Sequence, residues 1–175
     1  MEPVEPAAHR THRPHSWAGD WGLLLLRLVF GLLMAGHGAQ KLFGIFGGAG
    51  LTATGEYFSS LGFHPGRVFA LVCGLSELLG GLGLAVGLLT PLASAALIGV
   101  LINAMATVTS AHGLWDTEGG MEYSIGIVAV AVAVAALGPG RLALDRLFPW
   151  GRGGWGPAAI ALGLGGIGAA ITLTL

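Results

Sequence analysis

Five stretches of this chain, residues 21–40, 68–89, 92–111, 123–138 and 156–175, are apolar over about the length of a membrane-crossing helix. In hydrocarbon every backbone amide and carbonyl needs a partner within the protein, and a helix supplies those partners inside one segment. The chain is 54% hydrophobic and 10% charged, and the five stretches together hold two formal charges, Arg27 and Glu77. An ionisable group at bilayer depth costs roughly 2.5–3.5 kcal/mol on insertion scales, so it faces a bundle interior and often marks a site or pathway. The pattern predicts an all-α, polytopic transmembrane helical bundle, with a four-helix core and a fifth, C-terminal span.

The rest of the composition narrows the function classes. The chain has 175 residues, enough for one such unit. A net charge of −1 offers no electrostatic footprint for nucleic acid. Cys73 is the only cysteine, so no intramolecular disulfide and no CxxC redox pair can form. Within its apolar stretch it reads as a small core residue. The 32 glycines suit membrane helices, where glycine lets backbones approach closely. Residues 1–20 read as a disordered polar tail. Its His9, His12 and His15 have no framework to fix a metal geometry, and no Cys or His cluster elsewhere has metal spacing.

Thr90-Pro91 breaks the pattern between the second and third spans and predicts a tight hairpin there. The fourth span, 16 residues long, reaches only ~24 Å at 1.5 Å per residue, short of a ~30 Å hydrocarbon core. In the loop after the first span, Leu51, Thr54, Phe58 and Leu61 recur at helical spacing and predict a short interfacial helix over the bundle end. Arg10, Arg13, Arg141, Arg146 and Arg152 flank one side of the spans, and Asp116, Glu118 and Glu122 the other. The excess of basic residues on cytoplasmic flanks then predicts a cytoplasmic N-terminus, although Lys41 and Arg67 sit on the opposite side.

Two polar groupings follow. Glu77 and Asn103 each lie thirteen residues from Thr90, so the hairpin sets them at similar depth. Arg27 then becomes the expected ion-pair partner of Glu77, and Arg27, Glu77 and Asn103 form an intramembrane polar core. Such a core either locks helix register or carries redox, proton or ligand chemistry. His37, Lys41, His112 and Glu122 are expected to gather at the outer face, as a pocket for a quinone head group or a partner. His37 and His112 as axial haem ligands form a weaker alternative.

RLVFGLLMAGHGAQKLFG (27–44), LSELLGGLGLAVGLLTPLASAAL (75–97) and GGMEYSIGIVAVAVAVAALGPGRLALD (119–145) resemble the DoxX family of small bacterial membrane proteins, over roughly residues 21–148. The resemblance implies a four-helix membrane bundle in the cytoplasmic membrane. Some relatives are small subunits of thiosulfate:quinone oxidoreductases, and others belong to complexes of oxidative-stress defence and thiol homeostasis. The expectation is a small membrane subunit of an oxidoreductase system, linked to quinone and to a soluble redox partner, with a homo-oligomer open. The alternatives are a non-catalytic scaffold that recruits a soluble redox enzyme, and a small transporter. The tail and the span at 156–175 are additions to the family pattern.

Overall fold

The computed structural model describes residues 17–148, 151 and 153–175. The polar tail up to residue 16, with its histidines and arginines, and Arg152 lie outside the described residues. Six α-helices carry the fold: α1 Trp17–Phe43, α2 Gly50–Ser60, α3 Gly66–Val86, α4 Thr90–Thr107, α5 Glu122–Leu137 and α6 Trp155–Thr174. The described residues form no strand. Four of these helices, α1, α3, α4 and α6, are long and apolar enough to cross a membrane, and α5 is a shorter apolar helix. The chain is an all-α transmembrane bundle.

Each helix has a local cause. α1 is helical from the first described residue, Trp17, and Asp20 near that end complements the helix N-terminus. α3 ends where Gly87 takes the left-handed conformation, with φ 66°. The amide of Leu88 then donates to the Gly83 carbonyl at 2.8 Å and that of Gly87 to the Leu84 carbonyl at 3.2 Å, the paired closure that stops helices at glycine. Leu89 is also left-handed, and Pro91 sits in the first turn of α4, where its missing amide costs nothing. The break expected at Thr90-Pro91 is therefore the α3–α4 hairpin. The predicted interfacial helix is α2, which packs on α3. α4 stops at Thr107, and a 3-10 turn at Thr109–His112 completes that segment.

The side-chain distribution is inverted relative to a water-soluble bundle. Leu25, Leu32, Val72 and Leu79 are exposed, while the seam between α1 and α3 buries Gly31, Ala35, Gly38, Gly74, Gly81 and Ala85. Lipid tails are as apolar as leucine, so no hydrophobic force drives these helices together. Close backbone packing does it instead. A Cβ on Gly81 would lie 2.5 Å from both the Gly31 carbonyl oxygen and the Ala35 nitrogen. Larger side chains (Met34, Leu84, Leu97, Ile127 and Val134) fill the centre between α1, α3, α4 and α5. α6 runs parallel to α4 and meets it through Ala161, Gly165 and Ala169, all buried. The bundle thus has a turn end, with the start of α1, the α3–α4 hairpin and the α5–α6 connector. At its opposite end lies α2.

Candidate functional site at the α2 end

Glycine contacts fix the register between α1 and α3. Gly31 opposes Gly81 and Ala85, and Gly38 opposes Gly74 and Leu78. Continued along both helices, this sets Arg27 against Gly87 and His37 against Glu77. Ten residues of α1 separate those levels, ~15 Å of rise. The expected Arg27–Glu77 pair is therefore not formed. Counting from span ends placed the two charges too near in depth, because the glycine seam slides α3 along α1.

Arg27 is fully buried at the turn end. Its guanidinium donates to the carbonyls of Pro139, of Leu142 at 2.8 Å and of Ala85 at 3.5 Å. The Asp145 carboxylate faces it electrostatically. Asp145, also fully buried, accepts the amides of Leu89 and Thr90 at 2.8 Å each, and its own amide donates to the Gly87 carbonyl at 2.8 Å. It is the cap of α4, supplied from a distant loop. Asp20 accepts the backbone amide of Arg141 at 3.0 Å and its Nε at 2.6 Å, while the Arg141 guanidinium lies 4.2 Å over Trp17. These groups tie the α5–α6 connector to α1 and to the hairpin. Their carbonyl and amide partners suit a register lock.

Chemistry with an opening concentrates at the other end. Lys41 Nζ donates to both oxygens of Glu77, at 2.6 and 2.9 Å. Glu77 is buried, while the Lys41 side chain keeps 27% exposure. The pair lies on the wall of a cavity of about 180 Å³ under α2. Aromatic rings make most of the roof: Phe58 and Phe63 have centroids 5.6 Å apart, Phe63 and Phe69 5.2 Å, and Tyr57 completes it. Cys73 also lines the cavity, beside Glu77. Val72 and Tyr57, on the lining, are each 49% exposed, so the cavity wall reaches the bundle's surface there.

Asn103 belongs to this cavity and not to Arg27. Its Nδ2 donates to the Gly99 carbonyl at 2.9 Å, and its Oδ1 accepts the Thr172 hydroxyl of α6 at 2.9 Å. Gly80 and Gly83 face Ala93, and that register brings Asn103 level with Cys73 on α3, as the α1 register does Lys41.

Of the four residues expected in an outer pocket, only Lys41 lines the cavity. His37 sits on the α5 side, its Nε2 3.3 Å from the Tyr123 hydroxyl, and interacts electrostatically with Glu77. His112 is exposed, its Nδ1 3.1 Å from the Val108 carbonyl of its own turn. Glu122 is exposed at the start of α5. The two histidines thus turn to separate partners. The described residues contain no cluster of three or more metal-ligating side chains. Sequence reasoning missed the roof aromatics Tyr57, Phe63 and Phe69, and Thr172, Asp20 and Asp145. The loop periodicity pointed to Phe58, and a buried Asp after a Gly-Pro-Gly break was the available signal for Asp145.

A bundle of apolar helices with small-residue seams and paired interior charges defines a polytopic helical membrane protein. Residues 22–110 match the DoxX family model, and the chain belongs to the DoxX family. The matched segment reaches from α1 to just past α4 and leaves α5 and α6 outside it. No curated protein and no solved structure matches the chain.

Proposed function

We propose that this protein is a small integral membrane subunit of an oxidoreductase system and that the chamber under α2 takes the head group of a quinone. One observation carries the reading: a ring-sized apolar cavity has a part-buried ion pair, with a buried carboxylate, in its wall. Its volume of about 180 Å³ slightly exceeds the ~150 Å³ apolar cavity that holds benzene. Aromatic walls and a few polar groups are what a site for a flat, lipid-soluble ring needs. The exposed Val72 and Tyr57 on its wall would let a ring enter from the bilayer and leave its isoprenoid tail among lipids.

The chemistry follows from the two charged groups. Lys41 has three N–H donors and uses two on Glu77, so one is available to a quinone carbonyl. Reduction to the quinol consumes two electrons and two protons. The electrons come from a soluble redox partner, and the protons reach the ring through Glu77 and Lys41. Behind Glu77, the His37–Tyr123 pair leads toward the exposed residues of α5 and resupplies them. By chain position Arg10, Arg13, Arg141, Arg146 and Arg152 flank the turn-end side of the spans, against Lys41 and Arg67 on the α2 side, an excess that favours a cytoplasmic turn end and N-terminus. The chamber then faces the outer side of the cytoplasmic membrane.

The test is purification in mild detergent from a quinone-containing membrane, with solvent extraction and an absorption spectrum, followed by quinol formation in proteoliposomes with the co-purifying partner. Quinone in stoichiometric amount, and loss of quinol formation in Glu77→Gln, is the expected result. No retained quinone, with Glu77→Gln as active as the parent, refutes it and leaves a scaffold that recruits a soluble redox enzyme. Passage of solutes through liposomes containing the protein alone supports a transporter instead.

A further inference from the structure

We infer that the chamber has two polar poles, so that it selects a single ring with hydrogen-bond acceptors at both ends, a para-benzoquinone, and that α6 builds the second pole. The inference rests on the quinone reading above and deepens it.

The first pole is Lys41 with Glu77, from α1 and α3. The second is Asn103 with Thr172, from α4 and α6, and all four residues line one cavity. The two registers place Lys41, Cys73 and Asn103 at one depth, so the poles, carried by α1 with α3 and by α4 with α6, are separated across the bundle and not along its axis. Each pole has one donor to spare. Lys41 keeps its third N–H. Asn103 commits one Nδ2 hydrogen to Gly99 and its Oδ1 to Thr172, which leaves the second Nδ2 hydrogen for a ligand.

Thr172 gives this donor its direction. An amide side chain can be turned over at little cost unless its oxygen is held. The Thr172 hydroxyl, 2.9 Å from Asn103 Oδ1, holds it. The same hydroxyl lies 2.9 Å from the Ala169 carbonyl and 3.0 Å from that of Gly168, so Asn103 Oδ1 shares its one proton with two carbonyls of α6. Thr172 is therefore a positioning residue, and α6 is part of the binding site as well as an outer packing helix. The DoxX match ends at residue 110, so Asn103 lies inside the matched segment and Thr172, which orients it, outside.

The discriminating measurement is equilibrium dialysis of the full chain in detergent against two probes, a decyl-substituted benzoquinone and a decyl phenyl ketone, which carries one carbonyl. The full chain should bind the quinone about tenfold more tightly than the ketone, ~1.4 kcal/mol at 25 °C. Asn103→Leu should erase that preference by weakening quinone alone, and Thr172→Val should reduce it a few-fold with ketone binding unchanged. A pair that merely clamps α6 to α4 predicts a lower melting temperature with the ratio intact, and that result overturns the inference while the quinone reading stands. Equal binding of both probes by the parent chain overturns it too. Binding of neither probe removes the quinone reading itself. Should Asn103→Leu fail to fold, the Thr172→Val ratio decides.

Discussion

A double-mutant cycle on Lys41 and Glu77 asks whether this ion pair is a built part of the bundle. Lys41 Nζ meets the two Glu77 oxygens at 2.6 and 2.9 Å. Two charge-assisted hydrogen bonds, at roughly 1.5–3 kcal/mol each, set a gross ceiling of about 3–6 kcal/mol. Breaking a fully buried pair from one side costs about 3–5 kcal/mol, because a charge is stranded. Here the stranding is milder. The Lys41 side chain is 27% exposed and can turn its ammonium outward once Glu77 is gone. A stranded Glu77 can take up a proton. Glu77→Leu and Lys41→Met should therefore each cost about 2 kcal/mol. The double variant puts two apolar side chains on an already apolar wall and should cost only about 1 kcal/mol, giving a coupling of about 3 kcal/mol. Reversible unfolding in mixed micelles, driven by SDS and followed by far-UV circular dichroism, measures all three. Additive losses, with the double variant down by about 4 kcal/mol, would refute the reasoning. The double variant should also fold without retaining quinone, which separates the pair's structural part from its chemical one.

Three further outcomes follow from other parts of the bundle. Arg27→Leu should cost about 3–5 kcal/mol in the same titration, and Asp145→Ala about 1–2 kcal/mol; hydrogen exchange should quicken at the Leu89 and Thr90 amides in the latter. Gly81→Val should abolish the monodisperse gel-filtration peak, because its Cβ would lie 2.5 Å from α1 backbone, whereas Gly36→Ala, with nothing within 4 Å, should leave it unchanged. His37→Phe and Tyr123→Phe should slow quinol formation by roughly 10²-fold with quinone affinity intact; an unchanged rate in either removes that residue from the proton route.

The helices were readable because lipid demands long apolar segments, and the hairpin because Gly87 and Pro91 punctuate it. The loop periodicity at Leu51, Thr54 and Phe58 likewise announced α2. The pairing of charges was not readable. The slide of α3 against α1 is set by where Gly31 and Gly38 meet Gly81 and Gly74, and a sequence with 32 glycines offers many such registers. Arg27 ends among backbone carbonyls, which have no residue-type signature. His37 looked like a cavity donor because its helix face was judged from spacing alone, while its ring turns toward α5. Thr172 lies near the end of a helix that seemed an appendage, and nothing in its neighbours marks it as a partner of Asn103.

The unequal lengths of neighbouring helices bear on the bilayer itself. α1 has 27 residues and α5 has 16, which at 1.5 Å per residue is ~40 Å against ~24 Å. A ~30 Å hydrocarbon layer is overfilled beside one and underfilled beside the other. Each ångström of such mismatch costs a fraction of a kcal/mol. By helix length alone, a matched lipid annulus is thinner on the α5 flank than on the α1 flank. Headgroups and water would then come nearer Tyr123, and acyl-chain length becomes the variable that tests it.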